Sequence, residues 1–490
     1  MPGPDIFQFL NETGALSDIG WDGPERDKLW RYNQHYFDDL NAHDHATRAN
    51  WHRSLLENWM EANPPASGAG WDPYPTSLRI VNWVKWALGG STLIDAAEHS
   101  LAVQARWLLK RLEWHLLGNH LFANAKALIF AGLYFEGPEA DRWLTKGFDI
   151  LRREVPEQIL DDGGHFELST MYHAIALEDM LDITNLFNCY EGSLTPSQRA
   201  LQNDWSGRID DMLKWHQSMC HPDGEISFFN DAAFGITPSP SDLFSYANRL
   251  GFVAPPEPDR LTWLSTSGYV RLDAHNAIAL LDVAPIGPDY LPGHAHADTL
   301  SFELSLFGSR VFVNSGTSVY GTGDERLRQR STSAHNTVTV DGEDSSEVWS
   351  GFRVARRARP TSPVIEKSDD LSVECSHDGY SRLTGGPMHT RRWRLGPQRL
   401  QIEDMLSTQA GCAEAHFHLH PDVRASIKKD GTSGTLLLAG GKSVDWKSTG
   451  GSAKLEAATW HPEFGVTLPT VCLVITLRDG RSTLSLSWGK

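Results

Sequence analysis

Two histidines alternate in Gly293-His294-Ala295-His296-Ala297-Asp298, immediately ahead of a strand-like run. Ala334-His335-Asn336-Thr337 follows further along, and Val313-Asn314-Ser315-Gly316-Thr317 lies between the two. Imidazole exchanges a proton near neutral pH and, when neutral, binds metals. His296 and His335, with Asn314 between them, could hold Zn²⁺, although two His and an Asn make an unusual zinc set that a carboxylate would complete better. A hydrogen-bonded histidine pair accounts for the same residues equally well, and spacing does not choose between the two readings. His294 shares the face of His296 if the segment is a strand; in a loop its direction is open.

A second group of candidates lies in Asp162-Gly163-Gly164-His165-Phe166-Glu167-Leu168-Ser169-Thr170-Met171-Tyr172-His173. Read as the opening of a helix, it sets Glu167 and Tyr172 five positions apart, about 140° around the axis, so that both can border one cleft without sharing a face. A tyrosine that transfers protons needs cationic or metal neighbours to lower a phenolic pKa of about 10; without them it is a core residue. Gly118-Asn119-His120 stands at a loop-to-helix junction, where an asparagine either offers amide donors to a carboxylate or simply caps the helix. His416, His418 and His420 would face one side of a strand, as a second metal site or, the preferred reading, as a polar strand face. Arg326, Arg328 and Arg330, with Arg353, Arg356, Arg357 and Arg359, are the candidates for a local basic cleft; a solvated charged face is the alternative.

These residues need elements to position them. Leu101, Ala105, Leu108 and Leu112 recur at helical spacing, as do Leu168, Tyr172 and Ile175 within 166–188, and Ile80, Trp83 and Val84. Pro64-Pro65, Gly89-Gly90, Gly137-Pro138 and Asp162-Gly163-Gly164 punctuate the run, which implies antiparallel helices with short connections. Gly251-Phe252-Val253-Ala254-Pro255-Pro256-Glu257-Pro258 reads as a linker. After it the period falls to two: Phe302, Leu304 and Leu306 alternate with Ser301, Glu303 and Ser305, Gly308-Ser309 turns the chain into Arg310–Val313, and apolar strand patterns recur near 435–438, 471–475 and 482–486. The fold expected is α+β and multidomain, helical over 1–255 and an antiparallel β-sandwich over 256–490.

A chain of 490 residues is too long for one ordinary core. Its formal charge of -18 argues against nucleic acid as a partner, and a polyanionic substrate would need a local basic cleft. The five cysteines are dispersed and odd in number, which reads as buried thiols. The 18 tryptophans serve either as core or as walls on which sugar faces stack. No membrane-spanning run and no signal peptide are visible, which fits either a cytoplasmic protein or an exported one whose leader has been removed.

In combination and order the motifs resemble the heparinase II/III family of polysaccharide lyases. The resemblance rests on Trp30-Arg31-Tyr32-Asn33-Gln34-His35-Tyr36-Phe37, Ser77-Leu78-Arg79-Ile80-Val81-Asn82-Trp83, Gly118-Asn119-His120-Leu121, His165-Phe166-Glu167 through Tyr172-His173, Gly293–Asp298 and Ala334–Val338. It implies an N-terminal incomplete (α/α) toroid and a C-terminal antiparallel β-sandwich, with an active site between them that cleaves an acidic, uronate-containing polysaccharide by β-elimination. By similarity, Asn119 and His120 neutralise the uronate carboxylate, Tyr172 and His294 transfer protons, and Tyr320 stands near the leaving oxygen. Arg79, Asn82 and Glu167 fall on substrate-binding positions. His296, Asn314 and His335 fall on the ligand positions of a mainly structural Zn²⁺. Two departures stand out: Asn314 replaces a usual Asp, and Ser318 occupies the place where relatives commonly carry Tyr, with Tyr320 two residues later. A uronyl C5-epimerase and a non-catalytic glycan-binding protein are the competing expectations.

Overall fold

A computed structural model describes residues 1–489. The chain divides into two compact units, Met1–Gln158 with Glu178–Gly207, and Ile159–Leu177 with Arg208–Lys490.

The first unit is helical apart from a short N-terminal hairpin, Ile6–Phe9 with Glu12–Ala15. Its main helices are Ala49–Ala62, Pro73–Leu88, Asp95–Leu109, Gly118–Tyr134 and Pro138–Gln158. The periodicity that predicts a face through Leu101, Ala105 and Leu108 holds, and all three are buried; Leu112 falls beyond the helix end. Gly118–Tyr134 and Pro138–Gln158 approach backbone to backbone. A Cβ on Gly132 would come within 2.6 Å of the Leu144 amide nitrogen, and one on Gly147 within 2.8 Å of the Ala125 carbonyl oxygen. Tryptophans fill much of this core: Trp59 packs edge-on against Trp83 and at a tilt on Trp71. Core packing is thus where several of the abundant indoles go.

The second unit is dominated by antiparallel sheets. One has five strands, Leu261–Leu264, Tyr269–Ala274, Ala277–Asp282, Phe302–Leu306 and Ser309–Phe312, in sequence order. A second has eight strands and a third four. A single apolar core, including Leu304, Phe312, Trp393, Phe417 and Leu473, draws residues from all three. The strand Phe302–Leu306 is buried on both faces, so Glu303, one of the polar residues of the alternation, is an interior carboxylate. Its oxygens accept the Asn314 and Phe228 amides and contact His221 Nε2 at 2.8 Å.

Helix gives way to strand between Arg249 and Leu261, where the linker was read. The compact units are nevertheless divided elsewhere, because Leu168, Trp215, Met219 and Phe229 share a cluster with Leu264, Tyr269, Leu280 and Ala284. Residues 159–177 and 208–255 therefore belong with the sheets, not with the helical unit that an expected boundary at 255 would assign them to.

Candidate active site

The helix that carries Tyr172 begins at Thr170, later than the periodicity over 166–188 suggests. Leu168 adopts a left-handed backbone (φ 58°), which a helix does not accommodate. Its carbonyl is held by the Tyr269 hydroxyl and by Asn230 Nδ2, at 2.5 and 2.9 Å. Ser169 then caps the helix, its Oγ accepting the Tyr172 amide at 3.1 Å. Glu167 thus sits in the turn before the helix, and Tyr172 in its first turn.

That turn places Tyr172 flat against His294, ring centroids 3.8 Å apart and 15° between planes. The Tyr172 hydroxyl hydrogen-bonds the Tyr320 hydroxyl at 2.9 Å. His294 Nδ1 pairs with Glu167 Oε2 in a short contact. His294 keeps 16% of its side chain exposed against 2% for Glu167, so a substrate can reach the imidazole but not its carboxylate partner. Burial pushes the phenols of Tyr172 and Tyr320 well above the usual tyrosine range, reinforced by Tyr320 and Asp231 for the first and by Asp231 for the second. Arg326 lies over the Tyr320 ring at 4.9 Å, but its guanidinium is committed to both oxygens of Asp231.

Asp231 also receives His296 Nε2 at 2.8 Å. Burial would raise its carboxyl, yet the Arg326 charge and the His296 hydrogen bond outweigh this and hold it far below the carboxylate range. With its Nε2 proton donated to a carboxylate, His296 presents the Nδ1 lone pair, which faces His335 Nε2 at 3.1 Å. Tetrahedral zinc with Zn–N near 2.0–2.1 Å would set two such nitrogens about 3.3 Å apart, so the imidazole pair fits two ligand positions, with Asp231 orienting the first. Asn314 fits less well: its Nδ2 donates to Phe228 O and Ser301 Oγ and its Oδ1 accepts the Asn336 amide.

The same constellation occurs a second time in this unit. His377 Nε2 meets His389 Nδ1 at 3.2 Å, His389 Nε2 meets Asp404 at 2.7 Å, and Arg391 binds that carboxylate. There His377 Nδ1 accepts the Gly379 amide, so every nitrogen is satisfied within the protein. His335 Nδ1 has no such partner among the described residues. A His–His contact does not by itself require an ion; the two pairs differ in that His335 Nδ1, the ring nitrogen turned away from His296, lacks a partner among the described residues.

In the first unit, Leu117 and Gly118 both take positive φ angles (56° and 52°) ahead of Asn119 and His120 at the start of Gly118–Tyr134. His120 Nδ1 contacts Glu113 Oε1 at 3.0 Å and its ring lies 4.5 Å from that of Tyr74. Asn124 locks Glu113 in turn, donating Nδ2 to the carboxylate and accepting the Glu113 amide. Asn119 and His120 thus share one helix terminus.

Arg79 and Asn82 depart from the substrate-lining role expected of them. Arg79 is completely buried, donating to Gln104, His35 O and Thr76 and stacking 4.0 Å above Trp59. Asn82 spends its amide on Tyr36 O, Asp38 and Asn41. The expected basic cleft also changes character. Arg326 and Arg330 are interior, Arg330 on the Ala295 carbonyl, while Arg328 pairs with Glu325, Arg356 with Glu347, and Arg357 and Arg359 with Asp289. Asp231 and Glu113 escaped the sequence reading because neither carries a motif; only the partners they hold reveal them.

A family model described as "Heparinase II/III-like, C-terminal" matches residues 256–489, and one described as "Heparinase II/III N-terminus" matches residues 90–241. A heparin-sulfate lyase of Bacteroides stercoris is 28% identical over 348 residues, covering 66% of this chain but only 49% of that relative, so the chain spans about half its length. FtsZ-localized protein C of Caulobacter vibrioides is 25% identical over 480 residues, covering 89% of this chain and 78% of that protein. Among solved structures, heparinase III superposes with a TM-score of 0.74 at 18% identity, covering 94% of this chain and 77% of its own, a likeness of fold.

Proposed function

We propose, for a chain that belongs to the heparinase II/III family, that it cleaves a uronate-containing glycosaminoglycan by β-elimination. The single observation that carries this is the packing of Tyr172 between His294 and Tyr320, with His294 backed by Glu167. The heparin-sulfate lyase names of several relatives support the substrate class.

The chemistry assigns different parts to the two proton carriers. Glu167 takes the Nδ1 side of His294, which fixes the tautomer that leaves Nε2 with a lone pair and makes His294 the base for the C5 proton. Tyr172, kept protonated by burial, is the acid that delivers a proton to the departing O4, with Tyr320 holding its hydroxyl in line. Removing a proton next to a carboxylate requires that the growing enolate charge be met by fixed donors, the part assigned to Asn119 and His120. Elimination consumes no water and leaves an unsaturated uronate at the new non-reducing end.

Zinc, where bound, would be held by His296 and His335 and would supply structural cross-linking of the loops that bear them, not proton transfer.

Incubation of the full chain with a panel of heparan-, chondroitin- and alginate-type polymers, read by the ultraviolet absorbance of the unsaturated product, tests the proposal. Growth of that absorbance on a glycosaminoglycan is expected. C5 inversion without absorbance would indicate the epimerase, and binding without either change a glycan-binding protein.

A further inference from the structure

The four-stranded sheet contains a set of side chains that the elimination chemistry does not use. Its strands Ala413–His418 and Leu468–Leu477 pair antiparallel, with His416 opposite Val474 and His418 opposite Cys472. Directly opposed residues share a face, as do residues two apart on one strand. Ala415, Phe417, Leu473 and Ile475 point into the apolar core. His416, His418 and Cys472 must therefore all point away from it, on the other face. That face is nevertheless closed, and all three side chains are buried. His420, expected to extend the row, lies past the strand end and packs edge-on against Trp460 instead.

The donor atoms of the three lie within 4.8 Å of one another. The two imidazole rings are stacked, 6.3 Å between centroids and 16° between planes. His418 Nε2 meets the Ser333 carbonyl at 2.9 Å, so that nitrogen carries the proton and Nδ1 is a lone pair. This Nδ1 is buried with no hydrogen-bond partner among the described residues. His416 Nε2 contacts Thr339 Oγ1 at 3.1 Å, and that hydroxyl donates onward to the Glu414 carbonyl, which leaves it to accept from the imidazole. Each histidine is thus fixed through one nitrogen in the manner of a metal ligand whose outer N–H is anchored by an oxygen. Burial holds both rings neutral, at about 4 for His416 and about 3 for His418.

We propose that His416, His418 and Cys472 form a site for a zinc-class divalent ion, distinct from the His296–His335 pair. Binding displaces the thiol proton of Cys472 to solvent and forms one metal–sulfur and two metal–nitrogen bonds, with water in the fourth position. Tetrahedral donors stand about 3.3–3.6 Å apart, so the three side chains close in by roughly an ångström on loading. Glu456 lies directly opposite Cys472 on the neighbouring strand and is ion-paired with Lys454 at 2.8 Å; it remains outside the donor set.

The test titrates the full-length, metal-stripped protein with Co²⁺, then with Zn²⁺. One equivalent of Co²⁺ should produce a thiolate-to-cobalt charge-transfer band that Zn²⁺ abolishes. The band should be lost in Cys472→Ser and in His418→Gln. It should persist in His335→Gln and in Cys412→Ser, a substitution of one of the exposed thiols. Absence of the band in the wild-type protein overturns the site, whatever the variants do. A band that survives Cys472→Ser in protein with an unchanged circular dichroism spectrum also overturns it, by assigning the thiolate elsewhere.

Discussion

The Tyr172 ring lies face to face with His294 at 3.8 Å, and Tyr320 holds its hydroxyl at 2.9 Å. Removing that hydroxyl keeps the stack and deletes only the proton. Tyr172→Phe should lower turnover by at least ~10²-fold, the usual cost of a lost general acid, with the thermal midpoint little changed. Rates of unsaturated-product formation decide it; turnover within a factor of a few of wild type refutes the role.

Glu167 acts through His294. Glu167→Gln keeps the shape but no longer enforces the tautomer with a lone pair on Nε2. The expected result is a fall in kcat of at least about tenfold, equivalent to ~1.4 kcal/mol of barrier, with KM nearly unchanged. A change confined to KM would return Glu167 to substrate binding.

Arg79 separates a structural role from a binding one. Its guanidinium is wholly interior, and each of its three nitrogens donates within the protein, to Gln104, His35 and Thr76. Arg79→Ala should destabilise the fold by on the order of 3 kcal/mol through the cavity and the orphaned acceptors. Urea denaturation measures this. Unaltered stability with lost activity would place Arg79 on the substrate after all.

Stability should fall on mild acidification. Burial holds His35 and His418 at about 3 and His165, His216, His296 and His416 at about 4, all below the unfolded value near 6.5. Between about pH 6.5 and 4 the unfolded chain binds protons that the folded one refuses. Each group then removes stability as pH drops, by up to about 1.4 kcal/mol per pH unit. Glu178, Asp298 and Glu303, raised by burial to about 7, act in the opposite sense over the same window because the folded state holds their protons. His173, His221, His335 and His377, held lower still by burial, join the first group and Asp282, raised by burial, the second, so that the histidines outnumber the raised carboxylates and leave a net loss. Melting temperatures between pH 7 and 5 should decline, and a flat or rising profile would contradict the balance.

Zinc at the His296–His335 pair is separable from the second proposed site. In a Cys472→Ser background, free zinc at ~100 times its Kd should stabilise the protein by about 2.7 kcal/mol. Adding His335→Gln should abolish that gain. An equal gain with and without His335 would leave the pair as a hydrogen bond alone.

Much of this was legible in the residues themselves. Periodicity located the helix through Leu101, Ala105 and Leu108, where the pattern follows from which face is buried, and the strands around Phe302 and Val311, where the alternation separates residues of the apolar core from interior polar ones such as Glu303 and Ser305. The order of the His, Tyr and Asn motifs pointed to the family. What could not be read was pairing across distance. The Asp231 carboxylate that joins Arg326 to His296 lies 65 residues from one and 95 from the other, with no local signal. Left-handed Leu168 moved the helix start past Glu167, a choice made by Tyr269 and Asn230 and not by leucine's own preference. Of the arginines that looked like a polyanion cradle in one dimension, Arg326 and Arg330 are internal braces, while Arg328, Arg356, Arg357 and Arg359 are ion-paired with carboxylates of this chain.

The interleaving of the two units constrains how such a protein can be cut or recombined. Residues 159–177 and 208–255 lie among the helical elements in sequence yet pack with the sheets, and they bring Glu167, Tyr172 and Asp231 with them. A polypeptide started at residue 256 would keep His294 and Tyr320 but arrive without their proton partner, their carboxylates, or the indole and methionine that seal the first sheet. Exchange between homologues at that visible border would therefore part Leu168, Trp215, Met219 and Phe229 from Leu264, Tyr269, Leu280 and Ala284, the cluster they share.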